Sequence, residues 1–158
     1  MQCPCGSKKT FNQCCYPIIN KENTAASPEQ LMRSRYSAYA TKNARYIYET
    51  YAADSQKLQS IAEIQQWANS STWVSLNVVN TSEGNTLNNE LPYVEFIAQY
   101  LLENILYEMR EHSRFVLEKN CWKYLDGDAL SHKNLGRVKR NDLCPCQSGK
   151  KFKQCCAR

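Results

Sequence analysis

Eight cysteines of this chain fall into two groups whose spacing could hold a metal ion. Cys3-Pro4-Cys5 is followed by eight residues and then Cys14-Cys15, and Cys144-Pro145-Cys146 is followed by eight residues and then Cys155-Cys156. Four thiols in a short segment suit tetrahedral zinc, which needs four soft or borderline ligands. Two copies of one spacing indicate that the chain reuses a small module near each end.

A disulfide framework is the alternative interpretation of these cysteines. The N-terminal residues Met1-Gln2-Cys3-Pro4 lack the charged and apolar regions of a secretory leader, and no apolar run is long enough to span a membrane. We therefore expect a cytoplasmic protein without membrane association, in which clustered reduced thiols bind metal more often than they pair. Iron–sulfur proteins use Cys-x-x-Cys runs instead, so zinc is the predicted metal and iron a minor alternative.

Each cysteine group is too small to build a core of its own, so its folding energy must come from the metal. Proline stiffens the Cys-Pro-Cys turn, and Gly149 permits the positive φ that a tight loop needs. No open coordination position or neighbouring general base is evident, whereas a catalytic zinc keeps water as a ligand. Both sites are predicted to be structural.

The segment RNDLCPCQSGKKFKQCC, from Arg140 to Cys156, closely resembles the SEC-C motif. That motif closes the translocation ATPase SecA, where it holds zinc and contacts the chaperone SecB. Leu143 stands where the motif often has proline, and Gln147 where it often has glycine.

The N-terminal copy departs further from the motif, because Lys8 replaces its glycine and Thr10 and Asn12 replace basic residues. The ligand spacing is intact in both copies. The resemblance implies two structural zinc sites, and their ligands are Cys3, Cys5, Cys14, Cys15, Cys144, Cys146, Cys155 and Cys156.

The middle of the chain is predicted to form helices first and strands afterwards. Ser27-Pro28-Glu29-Gln30 and Ser60-Ile61-Ala62-Glu63 are typical helix starts, and a further helix is expected over 44–53. Alternating apolar residues then predict strands over 73–79, 93–102, 105–117 and 121–126. In the first of these strands, Val74, Leu76 and Val78 are expected to share a face. Helices followed by an antiparallel meander predict an α+β domain.

This order of elements, together with short sequence words, resembles the YchJ family. The words are SPEQLMRSRYSAY from Ser27, Val94-Glu95-Phe96, EHSRF from Glu111 and Trp122-Lys123-Tyr124. The resemblance implies a ketosteroid-isomerase or nuclear-transport-factor-like fold, in which a curved antiparallel sheet packs on helices as a cone. The expected domains are a zinc module over 1–17, the α+β domain over 27–126, a basic linker over 127–141 and a second zinc module over 142–158.

Several large side chains are candidates for lining a cavity in the cone. They are Tyr36, Trp67, Trp73, Phe96, Tyr100, His112 and Arg114. Ordinary core packing is the favoured interpretation of the aromatic ones. Strand alternation places His112 and Arg114 on the outer face and Glu111 on the inner face. An inward carboxylate must be paired or neutral, so Glu111 is expected to bind Arg33 or Arg35, or else to act as a general acid or base.

Positive charge is concentrated near the C-terminus, where residues 133–158 carry eight basic side chains and one acidic one. The whole chain has a formal charge of +5. Four thiolates and one Zn²⁺ carry a charge of −2 at each site, so the lysines near the cysteines could simply offset this charge. Specific nucleic-acid binding is therefore disfavoured, and docking to an acidic protein surface is favoured.

Three function classes remain open. The favoured one is a zinc-binding adaptor whose modules contact a protein partner. The second is a small-ligand-binding protein or enzyme that uses the cone cavity, and the third is an RNA- or ribosome-associated binder. No Ser-His-Asp pattern, phosphate-binding loop or second paired carboxylate emerges, so no catalytic residue is predicted and a non-enzymatic role is favoured.

Overall fold

Helices precede strands along the chain in the computed structural model, which describes residues 1–157. The helices are α1 (Tyr16–Ile19), α2 (Pro28–Ala40), α3 (Ala44–Glu49), α4 (Ala53–Gln56) and α5 (Ile61–Ser70), and the strands are β1 (Ser71–Ser82), β2 (Tyr93–Leu102), β3 (Ile105–Glu118) and β4 (Cys121–Arg137). Short 3₁₀ turns cover Phe11–Gln13 and Phe152–Gln154.

Side-chain caps begin the two helices that the sequence marks most clearly. The Ser27 hydroxyl accepts a hydrogen bond from the backbone N–H of Gln30 at 3.1 Å, and the Gln30 side chain accepts one from the N–H of Ala26 at 2.6 Å. The Ser60 hydroxyl accepts from the N–H of Glu63 at 3.4 Å. These caps satisfy donors that a helix N-terminus leaves unpaired, and both predicted helix starts are confirmed.

The helix expected over 44–53 is shorter than the sequence suggests. It ends at Glu49 because the following backbone pairs with the start of β4. The N–H of Ala52 donates to the carbonyl of Tyr124, and the N–H of Tyr124 donates to the carbonyl of Thr50, both at 2.8 Å. These long-range bonds replace the helical ones, and a separate turn of helix, α4, begins at Ala53.

The four strands form one antiparallel sheet in the order β1-β2-β3-β4. Glu103 and Asn104 join β2 to β3 with φ values of 51° and 64°. Lys119 and Asn120 join β3 to β4 with φ values of 49° and 61°. Two consecutive positive φ angles are typical of the tight hairpin turn that matches strand twist, so both predicted turns are confirmed.

The sheet packs its inner face against α2 and confirms the predicted α+β class with helices on an antiparallel sheet. Val94, Phe96 and Ala98 of β2 are buried with Leu31 and Met32 of α2. These β2 residues alternate along the strand, so they share one face. Leu101 belongs to a different buried cluster, which includes residues of the C-terminal cysteine segment. The two faces of the sheet therefore carry separate cores.

An irregularity in β1 corrects the face predicted for Val74. The pairing of β1 with β2 shifts between Trp73 and Ser75, which breaks the two-residue alternation at this point. Leu76 and Val78 pack with Trp73 on the helix side. Val74 instead packs in the cluster of Leu101 on the opposite side, so it does not share a face with Leu76 and Val78.

The segment expected as a basic linker over 127–141 is mostly strand. β4 continues to Arg137, with Gly127 opposite Ser113 and Arg137 opposite Ile105. The long β3 offers backbone partners along its whole length, and these partners extend β4 beyond the apolar residues that mark its beginning. Only residues 138–141 separate β4 from the C-terminal cysteine segment.

Candidate metal centres and the central cavity

The two cysteine segments share one backbone conformation although their sequences differ. Gly6 and Lys8 have φ values of 76° and 63°, and the corresponding Gln147 and Gly149 have values of 61° and 73°. Glycine stands at the first of these left-handed positions in one copy and at the second in the other. The two copies therefore share the same left-handed backbone at both positions. In each copy, one of these positions is a glycine, which adopts a positive φ without strain.

The four thiols of the N-terminal segment lie at separations that suit one metal ion. Their sulfurs are all within 4.8 Å of one another. Cys14 Sγ lies 3.7 Å from Cys5 Sγ and 3.9 Å from Cys15 Sγ. Tetrahedral zinc with Zn–S bonds of about 2.3 Å requires sulfurs roughly 3.8 Å apart. The residues therefore fit a zinc site.

The thiols of the C-terminal segment are arranged in the same way. They also lie within 4.8 Å of one another, and Cys155 Sγ is 3.4 Å from Cys146 Sγ and 3.9 Å from Cys156 Sγ. The backbone N–H of Cys144 donates to the carbonyl of Lys150 at 2.8 Å, as that of Cys3 does to Lys9 at 2.9 Å. Both ends of the chain could therefore hold a metal.

Local hydrogen bonds favour the thiolate form of one cysteine in each segment, whereas the pKa values of Cys15 and Cys156 are raised. Bonds from Cys15 and Cys3 hold the pKa of the Cys5 thiol far below its usual value. Burial alone would raise the pKa of Cys146, but hydrogen bonds from Ser148 and Cys144 outweigh it and lower this pKa to about 6. One thiol in each segment is thus prepared for deprotonation by its neighbours.

The N-terminal segment is built into the hydrophobic core. Cys5 is 0% exposed, and it packs in one cluster with Ile18, Ala38 and Ile47. Cys3 Sγ lies 3.5 Å from Ser37 Oγ of α2. Because these contacts bury the cysteines among the helices, the segment is an integral part of the domain and not a tethered module.

The C-terminal segment lies on the opposite face of the sheet and is more exposed. Cys144 and Phe152 are buried against Leu101 of β2, so Phe152 attaches the segment to the sheet. Leu143 is 73% exposed. The basic side chains of this region also face solvent, and they are Lys139, Arg140, Lys150, Lys151 and Lys153.

A cavity of about 280 Å³ lies between the helices and the inner face of the sheet. Four of the predicted lining residues do line it, and they are Tyr36, Trp67, Trp73 and Phe96. Tyr100 is buried instead against Trp67 and Trp73, and its hydroxyl lies 2.7 Å from His132 Nε2.

Two predicted candidates lie outside the cavity, as strand alternation indicates. His112 stacks on Tyr93 with ring centroids 4.4 Å apart. Arg114 forms ion pairs of 2.6 Å with both Asp126 and Asp128. Both side chains have partners on the outer face of the sheet, so they are placed to stabilise strand pairing and not to contact a molecule in the cavity.

Glu111 points inward as predicted, but the prediction that it binds Arg33 or Arg35 is wrong. Its Oε1 atom accepts hydrogen bonds from the Ser113 hydroxyl at 2.7 Å and from the Tyr124 hydroxyl at 2.8 Å. Arg35 donates instead to the carbonyl of Ile47, and Arg33 binds Glu29 and the carbonyl of Cys5. The Glu111 carboxylate is therefore bound by two neutral hydroxyl groups of the sheet and not by an arginine of α2.

Gly127 is a residue of this site that the sequence does not reveal. A Cβ atom at this position would overlap with the Glu111 carboxylate and would lie 2.7 Å from the Tyr124 hydroxyl oxygen. Glycine therefore leaves the room in which these two groups meet. The sequence predicts Gly127 at the start of a linker, and only the observed extension of β4 puts it inside a strand, where a glycine is typical of close approach by another group.

Comparison with known proteins places this fold and these cysteine segments in a defined class. Residues 27–127 match the family model described as the YchJ middle NTF2-like domain. Residues 140–158 match the SEC-C motif. The protein thus combines an NTF2-like domain with a C-terminal SEC-C motif, and the structure adds a second four-cysteine segment at the N-terminus.

The relatives extend over almost the entire chain. A UPF0225 protein of Pectobacterium carotovorum is 40% identical over 99% of this chain and 97% of its own length. A UPF0225 protein of Vibrio cholerae is 39% identical over 99% of each chain. The chain therefore belongs to the YchJ family, whose members here carry the name UPF0225, and the predicted family is confirmed.

Two solved structures share the fold. The solution structure of a SEC-C motif containing protein from Rhodopseudomonas palustris is 36% identical with a TM-score of 0.74, covering 83% of this chain and 100% of that one. The crystal structure of a SEC-C motif containing protein from Psychrobacter arcticus is 28% identical with a TM-score of 0.66, covering 98% of this chain and 94% of that one.

Within residues 1–157, no helix has the length and apolarity needed to cross a bilayer.

Proposed function

We propose that this is a zinc-binding adaptor in which the two metal sites have different tasks. The N-terminal zinc stabilises the fold, and the C-terminal zinc presents a basic surface to an acidic protein partner. The observation that supports this division is the unequal burial of two segments with the same backbone. Three of the four N-terminal cysteines are buried, whereas in the C-terminal group only Cys144 is buried.

The C-terminal segment has the properties of a small rigid docking surface. Buried Phe152 fixes it to the sheet, and four metal–sulfur bonds would hold its loops. We call its exposed residues Leu143, Lys150, Lys151 and Lys153 the basic surface. Charges held in fixed positions increase the rate of association with an oppositely charged protein and suppress wrong partners. The exposed side chain of Leu143 adds apolar area to this surface.

Reversing the charge of the basic surface is expected to weaken partner capture without loss of zinc. Lys150→Glu combined with Lys153→Glu should reduce capture by about tenfold, because like charges then face the acidic partner. The measurement is affinity capture from a nuclease-treated lysate of the organism that encodes the chain, followed by mass spectrometry and by binding of the identified protein. Zinc content should remain unchanged, since neither lysine is a ligand.

The N-terminal copy supplies a matched control. Lys8 and Lys9 are also exposed, and replacing both with glutamate changes the net charge by the same amount at the other end of the chain. This control should retain capture. Equal loss in both variants would indicate a general charge effect, and undiminished capture in both would contradict the adaptor role. Capture that disappears on nuclease treatment would indicate a nucleic acid instead.

A further inference from the structure

The central cavity is lined mainly by aromatic side chains, as many ligand-binding sites are, and none of the clustered cysteines lines it. Most of its lining side chains are aromatic, namely Tyr36, Tyr39, Tyr51, Trp67, Trp73, Phe96 and Tyr124. Its volume of about 280 Å³ is near the lower limit of small-molecule pockets. Aromatic walls around a small volume favour a planar occupant of about one ring.

The carboxylate of Glu111 lines this cavity, and only one of its two oxygens accepts hydrogen bonds from the protein. Both protein donors, Ser113 and Tyr124, bind the same oxygen of Glu111, Oε1. Burial and the adjacent carboxylate raise the pKa of Tyr124, so its phenol stays protonated and remains a donor. An ionised carboxylate has about four acceptor positions, and Oε2 can therefore accept a hydrogen bond from an occupant of the cavity.

A buried cation lines the same cavity as this carboxylate. Arg35 is 6% exposed, and its guanidinium carbon lies 4.5 Å from the centre of the Tyr51 ring and 4.6 Å from that of Tyr124. The Tyr124 side chain thus contacts Arg35 with its ring and Glu111 with its hydroxyl. With one positive and one negative group already present, an additional buried charge would be unpaired and costly.

A buried donor without a partner lies on the same wall. Trp73 Nε1 is buried and has no hydrogen-bond acceptor, although most buried polar groups are paired. The ring itself is fixed, with its centroid 5.4 Å from that of Tyr36 and 5.5 Å from that of Tyr39. Trp73 lines the cavity, so an occupant whose acceptor reaches this edge of the indole would satisfy the N–H.

We propose that the cavity binds a small, uncharged planar molecule that accepts a hydrogen bond from Trp73 Nε1 and donates one to Glu111. The aromatic walls select the planar shape, and the balanced pair of Arg35 and Glu111 selects against a net charge. Ser113 and Tyr124 are positioning residues, because they hold Oε1 and leave Oε2 to the ligand. This site is independent of the adaptor role of the C-terminal segment.

A matched series of ring compounds tests the proposal on the full, zinc-loaded chain. The probes are 3- and 4-hydroxyacetophenone, which carry donor and acceptor, acetophenone with the acceptor alone, 4-ethylphenol with the hydroxyl alone, and the cation 1-phenylethylammonium. Titrations followed by ¹⁵N NMR report on the indole N–H signals. One of the two hydroxyacetophenones should bind about fivefold more tightly than acetophenone or 4-ethylphenol, since each of these lacks one hydrogen-bonding group.

The indole signal that moves should be that of Trp73, and it should be absent in Trp73→Phe. That variant keeps an aromatic ring but loses the indole N–H, and it should lose about fivefold in affinity for the hydroxyacetophenone. Glu111→Gln should lose a similar or larger factor while the chain remains folded, which the rest of the NMR spectrum verifies. If Trp73→Phe does not fold, Glu111→Gln and the ranking of probes on the wild type still decide the question. Absence of binding at millimolar concentration, tightest binding of the cation, or unchanged affinity in folded variants would overturn the proposal.

Discussion

Replacing Cys5 with serine is expected to destabilise the whole domain, whereas the same replacement at Cys146 is expected to leave the main unfolding transition almost unchanged. Cys5 is 0% exposed and packs against helix residues, so loss of its metal also disrupts the core. Structural zinc contributes about 10–16 kcal/mol in small peptides, which is comparable to the total stability of a domain. We expect the free energy of unfolding to fall by about 4 kcal/mol or more, at the upper end of single-residue effects.

Thermal unfolding followed by circular dichroism measures this difference. For a chain of this length, the expected loss lowers Tm by about 10 °C or more. The corresponding change at Cys146, the equivalent position of the C-terminal copy, should lower Tm by less than about 3 °C. Cys121 lies outside both groups, and Cys121→Ser controls for loss of a thiol as such. Equal effects at Cys5 and Cys146 would contradict the division between an integral and a peripheral module.

A chelator is expected to remove the C-terminal zinc well before the N-terminal one. The C-terminal segment can open by releasing Cys144 and Phe152 from Leu101. The N-terminal segment can open only by exposing core residues such as Ile18 and Ile47. Local opening is rarer where more apolar contacts must break. If the free energies of local opening differ by about 3 kcal/mol, the two release rates differ by roughly a hundredfold, since each 1.4 kcal/mol corresponds to a factor of ten.

Zinc release into excess chelator, recorded with a colorimetric zinc indicator, should therefore show two phases of equal amplitude. The fast phase should be missing in Cys146→Ser, which assigns it to the C-terminal site. Circular dichroism should remain native during the fast phase and change during the slow one. A single phase, or loss of helical signal in the fast phase, would show that the two sites are equally integrated.

The sequence predicts local features of this protein well because neighbouring residues determine them. The cysteine spacing indicates both groups, and the two serine caps indicate where α2 and α5 begin. The hairpin turns at Glu103-Asn104 and Lys119-Asn120 follow from the ends of apolar alternation. In each case the deciding interactions span only a few residues.

The features that could not be predicted depend on contacts between distant segments. The N-terminal segment lies in the core because Cys3 meets Ser37 of α2. β4 extends past Gly127 because β3 supplies partners along its length. One of the two donors to Glu111 is Tyr124, thirteen residues away on a neighbouring strand. Apolar periodicity identifies an inward residue but does not identify its partner, since several polar groups in the chain could have served.

One repeated segment thus occurs in two environments. Its backbone is the same at both ends, with left-handed residues at Gly6 and Lys8 in one copy and at Gln147 and Gly149 in the other. The contacts of the segments differ, because one faces the helices and the other faces the outer surface of the sheet. Unequal burial of equal modules is the physical basis for assigning stability to one site and partner contact to the other.

The most direct test of this account is the zinc stoichiometry of freshly prepared, reduced protein, measured by native mass spectrometry and elemental analysis. The account predicts two zinc ions per wild-type chain, one for each group of four thiols. Cys144→Ser combined with Cys146→Ser should retain one zinc ion, because the N-terminal group is intact. A wild-type chain without zinc, with iron in its place, or with these cysteines paired as disulfides would contradict the account.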